Sequence, residues 1–171
     1  RLPEAEKAAV LPLELCYVGQ PMRRASFCSQ PLYGLGSIRR ELPWAVEDWL
    51  DYHLEHLGFE HAELYDTDGS LAPALGRRSV AARRGGPSVA YWAAWPTNLS
   101  ETVAAISQEH PYCAETWAYA HCLTTHRALS RWVMLLHAPD EYVVAPGRPS
   151  RGRLLEILEG VERGLPGEEP M

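Results

Sequence analysis

The stretch His137-Ala138-Pro139-Asp140-Glu141 places an imidazole and two adjacent carboxylates directly after an apolar run, Trp132 to Leu136. Carboxylates at the end of a rigid strand suit a hard divalent cation such as Mg²⁺ or Mn²⁺. Such an ion keeps several waters and takes substrate phosphates as further ligands. On that chemistry the stretch is a metal–diphosphate site. The plainer alternative is an acid that caps a turn or a following helix. A second acidic pair, Asp66 and Asp68, stands just before Gly69. Asp and Gly favour tight turns, so a turn is one reading of it. An acid accepting hydrogen bonds from a nucleoside is the other. The remaining ligand positions of a calcium-binding EF-hand loop are absent.

Histidines and cysteines give a third set of candidates. His53 and His56 have a helical spacing that permits joint metal ligation, but no HExxH pattern contains them. His53 also falls on an apolar helix face, where a core role is simpler. His110, Cys113, His121, Cys122 and His126 lie close together in sequence. Their spacing is irregular for zinc, and a zinc site there stands as a rival reading. The four cysteines, Cys16, Cys28, Cys113 and Cys122, form no CxxC motif. Pairing and burial as free thiols both stay open. No GxSxG elbow or P-loop occurs, which weighs against hydrolase and kinase chemistry.

The elements that must carry these residues alternate between strand and helix. Residues 13–18 and 25–30 are predicted strands after a loose arm, and 31–42 reads as a loop. A helix follows, with Pro43 in its first turn and Glu47 and Asp48 at its positive end. Val46, Trp49, Leu50, His53, Leu54 and Leu57 recur at helical spacing, and Gly58 stops it. Residues 61–66 and 88–95 are further strands, with a short helix around 71–75 and a basic, glycine-rich loop at 77–87. Residues 100–109 are weakly helical. A stronger helix runs from Pro111 to about Ala128, ahead of a strand at 131–136. Ser150 caps a last helix bearing Leu154, Leu155, Leu158 and Val161 on one face. This order predicts an α/β fold with a mostly parallel sheet flanked by helices. In such sheets ligands gather at the carboxyl ends of the strands. The stretches 29–34, 65–69 and 137–141 all fall there.

Composition narrows the classes. The chain has 171 residues, 46% of them hydrophobic and 22% charged, which fits one globular domain. A net charge of −6 argues against a nucleic-acid partner. No apolar run reaches the roughly 18 residues that span a bilayer, and no signal peptide is visible.

Several pieces then fall into one order. "CSQPLYG" (28–34), "VEDWLDYHLEHLGFEHAELYD" (46–66), "AYWAAWP" (90–96), "AHCLTTHRALSRWVMLL" (120–136) and "DEYV" (140–143) together resemble glycosyltransferase family 92. This is the former domain of unknown function 23, which includes plant β-1,4-galactan galactosyltransferases. The family has an Asp-x-Asp-Glu-Phe stretch where this chain has His-Ala-Pro-Asp-Glu-Tyr, so the first acid is replaced.

The resemblance implies a GT-A-like, Rossmann-like domain over residues 25–163. Residues 1–24 would be an arm with a short strand, and 164–171 a polar tail. It implies transfer of a hexose, galactose by analogy, from a UDP-sugar to a glycan acceptor with inversion. Mn²⁺ would bridge the diphosphate, held by Asp140 with His137 in place of the missing acid. Leu32, Tyr33 and Gly34 would form the nucleotide loop of the first strand, with Asp66 and Asp68 near the nucleoside. Glu141 would orient the site. Arg127 would contact the diphosphate, although a solvated helix face is the simpler place for it. Trp49 and Trp132 are core aromatics. No residue presents itself as catalytic base. The family continues beyond this strand, so the chain reads as its N-terminal, donor-binding half. It would belong to a type II membrane protein of the Golgi lumen, anchored by a segment outside this sequence. The alternative is a non-catalytic nucleotide- or glycan-binding relative with a degenerate acid motif.

Overall fold

The computed structural model describes residues 22–79, 86–97, 100–109, 111–148 and 150–164. The arm, the predicted strand at 13–18, Cys16, His110 and the tail from residue 165 lie outside the described residues. Four strands form one parallel sheet: β1 (Arg23–Leu32), β2 (His61–Asp66), β3 (Ser88–Trp92) and β4 (Ser130–Leu136), in the order β3-β2-β1-β4. This is a Rossmann-like α/β arrangement, as the alternation of elements predicts.

Helices α1 (Leu35–Glu41), α2 (Ala45–Asp51) and α3 (Ala72–Ser79) connect the first three strands. Helices α4 (Glu101–Glu109) and α5 (Pro111–His126) return the chain to β4, and α6 (Arg153–Gly164) follows. A π-helical stretch, Tyr52–Leu57, prolongs α2. Gly58 ends it at φ 94°, as the sequence predicts. A Cβ on Gly58 would meet the Gly152 backbone at 3.0 Å, so α6 packs hard against this corner.

Several readings are corrected. β3 ends at Trp92, so 93–95 are turn and not strand; α3 runs to Ser79, into the predicted loop; and α2 begins at Ala45, after Pro43. Residues 31–42 are not a loop throughout: Pro31 and Leu32 complete β1, and Leu35–Glu41 is helical. Gly34, at φ 65°, turns the chain off the strand, and Leu35 then buries beneath the new helix. Ser150 is not the residue that immediately precedes α6. The helix begins at Arg153, whose N–H bonds to the Ser150 carbonyl.

The sheet has two interiors. On one side Phe27, Ala62 and Leu64 meet Val46, Trp49, Leu50, Leu54, Leu57, Leu154 and Leu155. On the other, Cys28 and Tyr65 meet Trp95, Ala118 and Cys122 of the α5 side. All six residues of β2 are buried. They include His61, Glu63 and Asp66, so β2 departs from the continuous apolar run expected of a central parallel strand.

Candidate functional site

Strand order reverses between β1 and β4. The last register pair between them is Ser29 with Leu136, while β1 continues beside β2 to Leu32 opposite Asp66. Beyond Ser29 and Leu136 the pairing of the two strands ends, and this is the switch point at whose carboxyl side open α/β sheets place a ligand crevice. A bulge between Cys28 and Pro31 prepares this exit. Pro31 has no N–H to give a ladder, and the Ser29 hydroxyl takes the Tyr65 N–H at 3.1 Å instead.

The loops after β1 and β2 are tied together by the second acidic pair. Asp66 is wholly buried, and its carboxylate accepts four hydrogen bonds. They come from the N–H groups of Asp68, Gly69 and Leu71 at 2.9–3.3 Å and from the Tyr91 hydroxyl at 2.8 Å. That fills the capacity of a carboxylate, so Asp66 shapes the turn and has nothing left for a nucleoside. Burial, with the bond to Asp66, pushes the Tyr91 hydroxyl up to about 12. Asp68 is exposed and accepts the Gly34 N–H at 2.7 Å and the Ser70 N–H at 3.0 Å. Burial pushes its carboxyl up, but the donors at Ser70 and Gly34 outweigh it and hold it below its ordinary value. Leu32 is core, whereas Tyr33 stands 71% exposed at the crevice.

The exit of β4 is pinned from α2 and from the π-helical stretch that prolongs it. Trp49 donates its indole N–H to the Glu141 carbonyl at 2.9 Å, and Tyr52 its hydroxyl to the Val143 carbonyl at 2.9 Å. Glu141 Oε2 accepts the His137 N–H at 2.7 Å. Glu141 therefore closes the turn at the strand end, which is the plainer of the two readings of that acid. His137 Nε2 lies 2.9 Å from Glu115 Oε1, and its Nδ1 lies 3.9 Å from Glu141 Oε1. Nearby, burial and the Glu115 and Glu141 carboxylates raise the Tyr119 hydroxyl above its ordinary value.

The manganese site implied by the resemblance does not fit these residues as they stand. The two carboxylates beside His137 sit on different nitrogens of its ring, so no single ion can be shared by all three. Asp140 is exposed and does not converge on His137 in any three-ligand group among the described residues. Arg127 is not brought to the crevice. It precedes Ser130, the first residue of β4, at the opposite end of the sheet. Seven strand residues separate the two ends by about 20 Å. A cleft of about 550 Å³ also lies at that far end, lined in part by Arg24, Glu55, Glu60 and Arg151. Two of its arginines are paired, Arg24 with Glu60 at 2.8 Å and Arg151 with Glu55 at 2.5 Å, and Arg23 lines it as well.

The polar interior beneath α5 holds what the sequence did not disclose. Cys28 and Cys122 form a disulfide across 94 residues. Glu63 is buried and takes hydrogen bonds from His126 at 2.9 Å, His61 at 3.2 Å and the Trp92 indole at 2.5 Å. Burial pushes its carboxyl up, but these donors win and hold it far below the usual range. The Tyr65 hydroxyl meets His121 Nδ1 at 2.9 Å. Of the rival zinc set around α5, Cys122 is in the disulfide, His121 is on Tyr65 and His126 is turned to Glu63, while His110 and the Cys113 side chain lie outside what is described. On the strand the sequence signal is the alternation His61, Glu63, Tyr65, and on α5 it is the run His121, Cys122, His126. Their partners lie far along the chain and could not be read from it.

No helix among the described residues is long and apolar enough to cross a membrane. In comparisons with protein-family models, curated proteins and solved structures, nothing matches this chain.

Proposed function

We propose that the crevice between β1 and β4 binds a nucleotide sugar, as the donor half of a hexosyltransferase like those of glycosyltransferase family 92. The observation that carries this reading is the reversal of strand order. Open α/β sheets bind their ligands where neighbouring strands are followed by crossovers on opposite faces, outside the carboxyl ends. Tyr33 offers an exposed ring there for a base or a sugar, and Asp68 fixes the backbone at Gly34. In the proposed reaction an acceptor hydroxyl attacks the anomeric carbon of a UDP-hexose, galactose by the family analogy, and UDP leaves. The Cys28–Cys122 disulfide suits an oxidising lumen such as the Golgi.

One observation favours a second reading. Asp68, Glu115, Asp140 and Glu141 make the crevice acidic, which repels a bare diphosphate. Acids beside an exposed aromatic ring suit the hydroxyls and flat face of a sugar. A glycan-binding relative without turnover would have that chemistry.

Thermal melts decide between them, because a ligand that binds only the folded chain raises its melting temperature. UDP and UDP-galactose are tested with and without Mn²⁺, beside a galactan oligosaccharide. The transferase reading expects a rise with UDP that Tyr33→Ala abolishes, and hydrolysis or transfer of the sugar. A rise that needs Mn²⁺ means that the groups around His137 rearrange about an ion. A rise with oligosaccharide alone selects the binding relative. A cooperative melt unmoved by all three ligands rejects both.

A further inference from the structure

We propose that His61, Glu63 and His126 form a zinc site buried between β2 and the end of α5. His126 Nε2 lies 2.9 Å and His61 Nε2 3.2 Å from the same oxygen, Glu63 Oε2, and the three ligand atoms lie within 4.8 Å of one another. Zinc takes nitrogen and carboxylate oxygen at about 2.0–2.2 Å, so its tetrahedral ligands stand roughly 3.3 Å apart. The two nitrogen–oxygen spacings are already close to that, and the two nitrogens lie within 4.8 Å of each other.

The fold makes this convergence. Residues two apart on a strand share a face, so β2 aims His61 and Glu63 at the same helix. His126 is the last residue of α5, one turn beyond Cys122, which the disulfide fixes to β1. Two of the ligands thus come from a central strand, and the third from a helix end that is covalently placed.

The groups behind the ligands point the same way. His61 Nδ1 lies 2.7 Å from Ser88 Oγ, and His126 Nδ1 lies 3.2 Å from Ser130 Oγ, which itself lies 2.6 Å from Ser26 Oγ. The Trp92 indole holds the other oxygen of Glu63. Histidines that bind metals rest their second ring nitrogen on an oxygen, and their carboxylate partners are likewise hydrogen-bonded. Every ligand here has such a support. A serine hydroxyl can donate or accept, so the frame serves two states. Without metal, each imidazole gives Nε2–H to Glu63 and accepts from its serine. With metal, Nε2 is the ligand and Nδ1–H is given to the serine.

Two imidazoles and one carboxylate favour zinc over Mg²⁺ or Mn²⁺. The side chains of the three ligands are 1–5% exposed. That leaves no path for a substrate, so the ion is a staple between α5 and β2, with a water or small anion in the fourth position. The inference does not depend on what the crevice at the other end of the sheet binds.

The test uses the chain purified without metal affinity, stripped with chelator, then dialysed against zinc and metal-free buffer in turn. The expected result is one zinc per chain by mass spectrometry and a melting temperature that climbs with free zinc. Cobalt in its place should give the intense visible absorption of a four-coordinate site. His126→Gln and His61→Gln, checked for folding by circular dichroism, should lose both metals. His56→Gln, an exposed histidine on the π-helical stretch, should keep them. If the His126 and His61 variants fail to fold, the cobalt spectrum of the unsubstituted chain decides. A cooperatively melting chain that takes up no zinc, or gives cobalt only the weak spectrum of a six-coordinate ion, overturns the proposal. A folded His126→Gln that still holds one zinc per chain overturns it as well.

Discussion

Phe27 and Cys28 are neighbours in β1, yet they look into different interiors. Phe27 meets Trp49 and Phe59 edge-on, with ring centroids 5.4 and 5.3 Å away, inside a continuous apolar cluster. Cys28 is bonded to Cys122 beside Tyr65, Trp95 and Ala118, on the face where Glu63 meets His61 and His126. One face of the sheet holds its helices chiefly by area and shape, which have no preferred direction. The other holds α5 by a covalent bond and by hydrogen bonds that each need a particular partner. The two faces should therefore fail differently: the first to changes of volume, the second to changes of chemistry at constant volume.

The largest effect should come from the polar face. Replacing Cys28 and Cys122 by Ala opens a loop of 94 residues. Chain entropy assigns such a loop about 4–5 kcal/mol, a large part of the 5–15 kcal/mol that ordinarily holds a domain. Urea melts with and without reductant should show the same loss in the unsubstituted chain. A loss below about 1 kcal/mol would mean that the hydrogen bonds alone keep α5 in place.

Substitution then separates the faces. Phe27→Ala should cost about 3–5 kcal/mol, and Phe27→Leu, which keeps most of the volume, only about 1 kcal/mol. Glu63→Gln keeps the shape but loses the charge that three donors share. It should cost about 2–3 kcal/mol in chelator, more than Phe27→Leu. The reverse order in denaturant midpoints would show that the polar face is packed rather than bonded.

A titration places one histidine on each face. His53, in the apolar interior, lies 2.8 Å from the Trp49 carbonyl through Nδ1 and accepts the Val143 N–H at 3.4 Å through Nε2. This fixes the neutral ring. Burial lowers its pKa and outweighs the Trp49 carbonyl, which acts to raise it. His121, facing the polar interior, is lowered too, by burial first and by His126, against the opposing charge of Glu63. In the unfolded chain each takes a proton near pH 6.5. Below that value the unfolded state binds more protons, so stability falls as pH drops; above it the contribution is complete. His53→Gln should flatten the fall in denaturant midpoint between about pH 7 and pH 5, and His121→Gln should flatten the remainder. An unchanged slope in both would mean that neither ring is held neutral.

The apolar face was readable because its signal is local. Val46, Trp49, Leu50, Leu54 and Leu57 repeat at helical spacing, and every one of them is in the core. Gly58 could be read as a stop because a left-handed φ favours glycine. Helix α1 was missed because Gly34 and Gly36 look like loop, while the burial of Leu35 depends on tertiary contact. The polar face was closed to such reading. His61 depends on Ser88, Glu63 on Trp92 and His126, and Cys28 on Cys122, all distant in sequence. At the crevice, spacing located the loops, but it could not tell that Asp66 is consumed by its own turn or that Arg127 falls at the wrong end of β4.

The smallest effect on stability should fall outside both faces, at the exposed carboxyl end. Tyr33 is 71% exposed. The side chain of His137 is 55% exposed, where its pairing with Glu115 is worth little. Tyr33→Ala and His137→Ala should each change stability by no more than about 0.5 kcal/mol. If the crevice binds a nucleotide sugar as proposed, the same two variants should also remove the rise in melting temperature expected with UDP. If either variant instead costs as much as Phe27→Leu, its side chain is part of the frame that pins the exit of β4. The crevice would then have to recognise its ligand with Asp68, Asp140 and the backbone at Gly34.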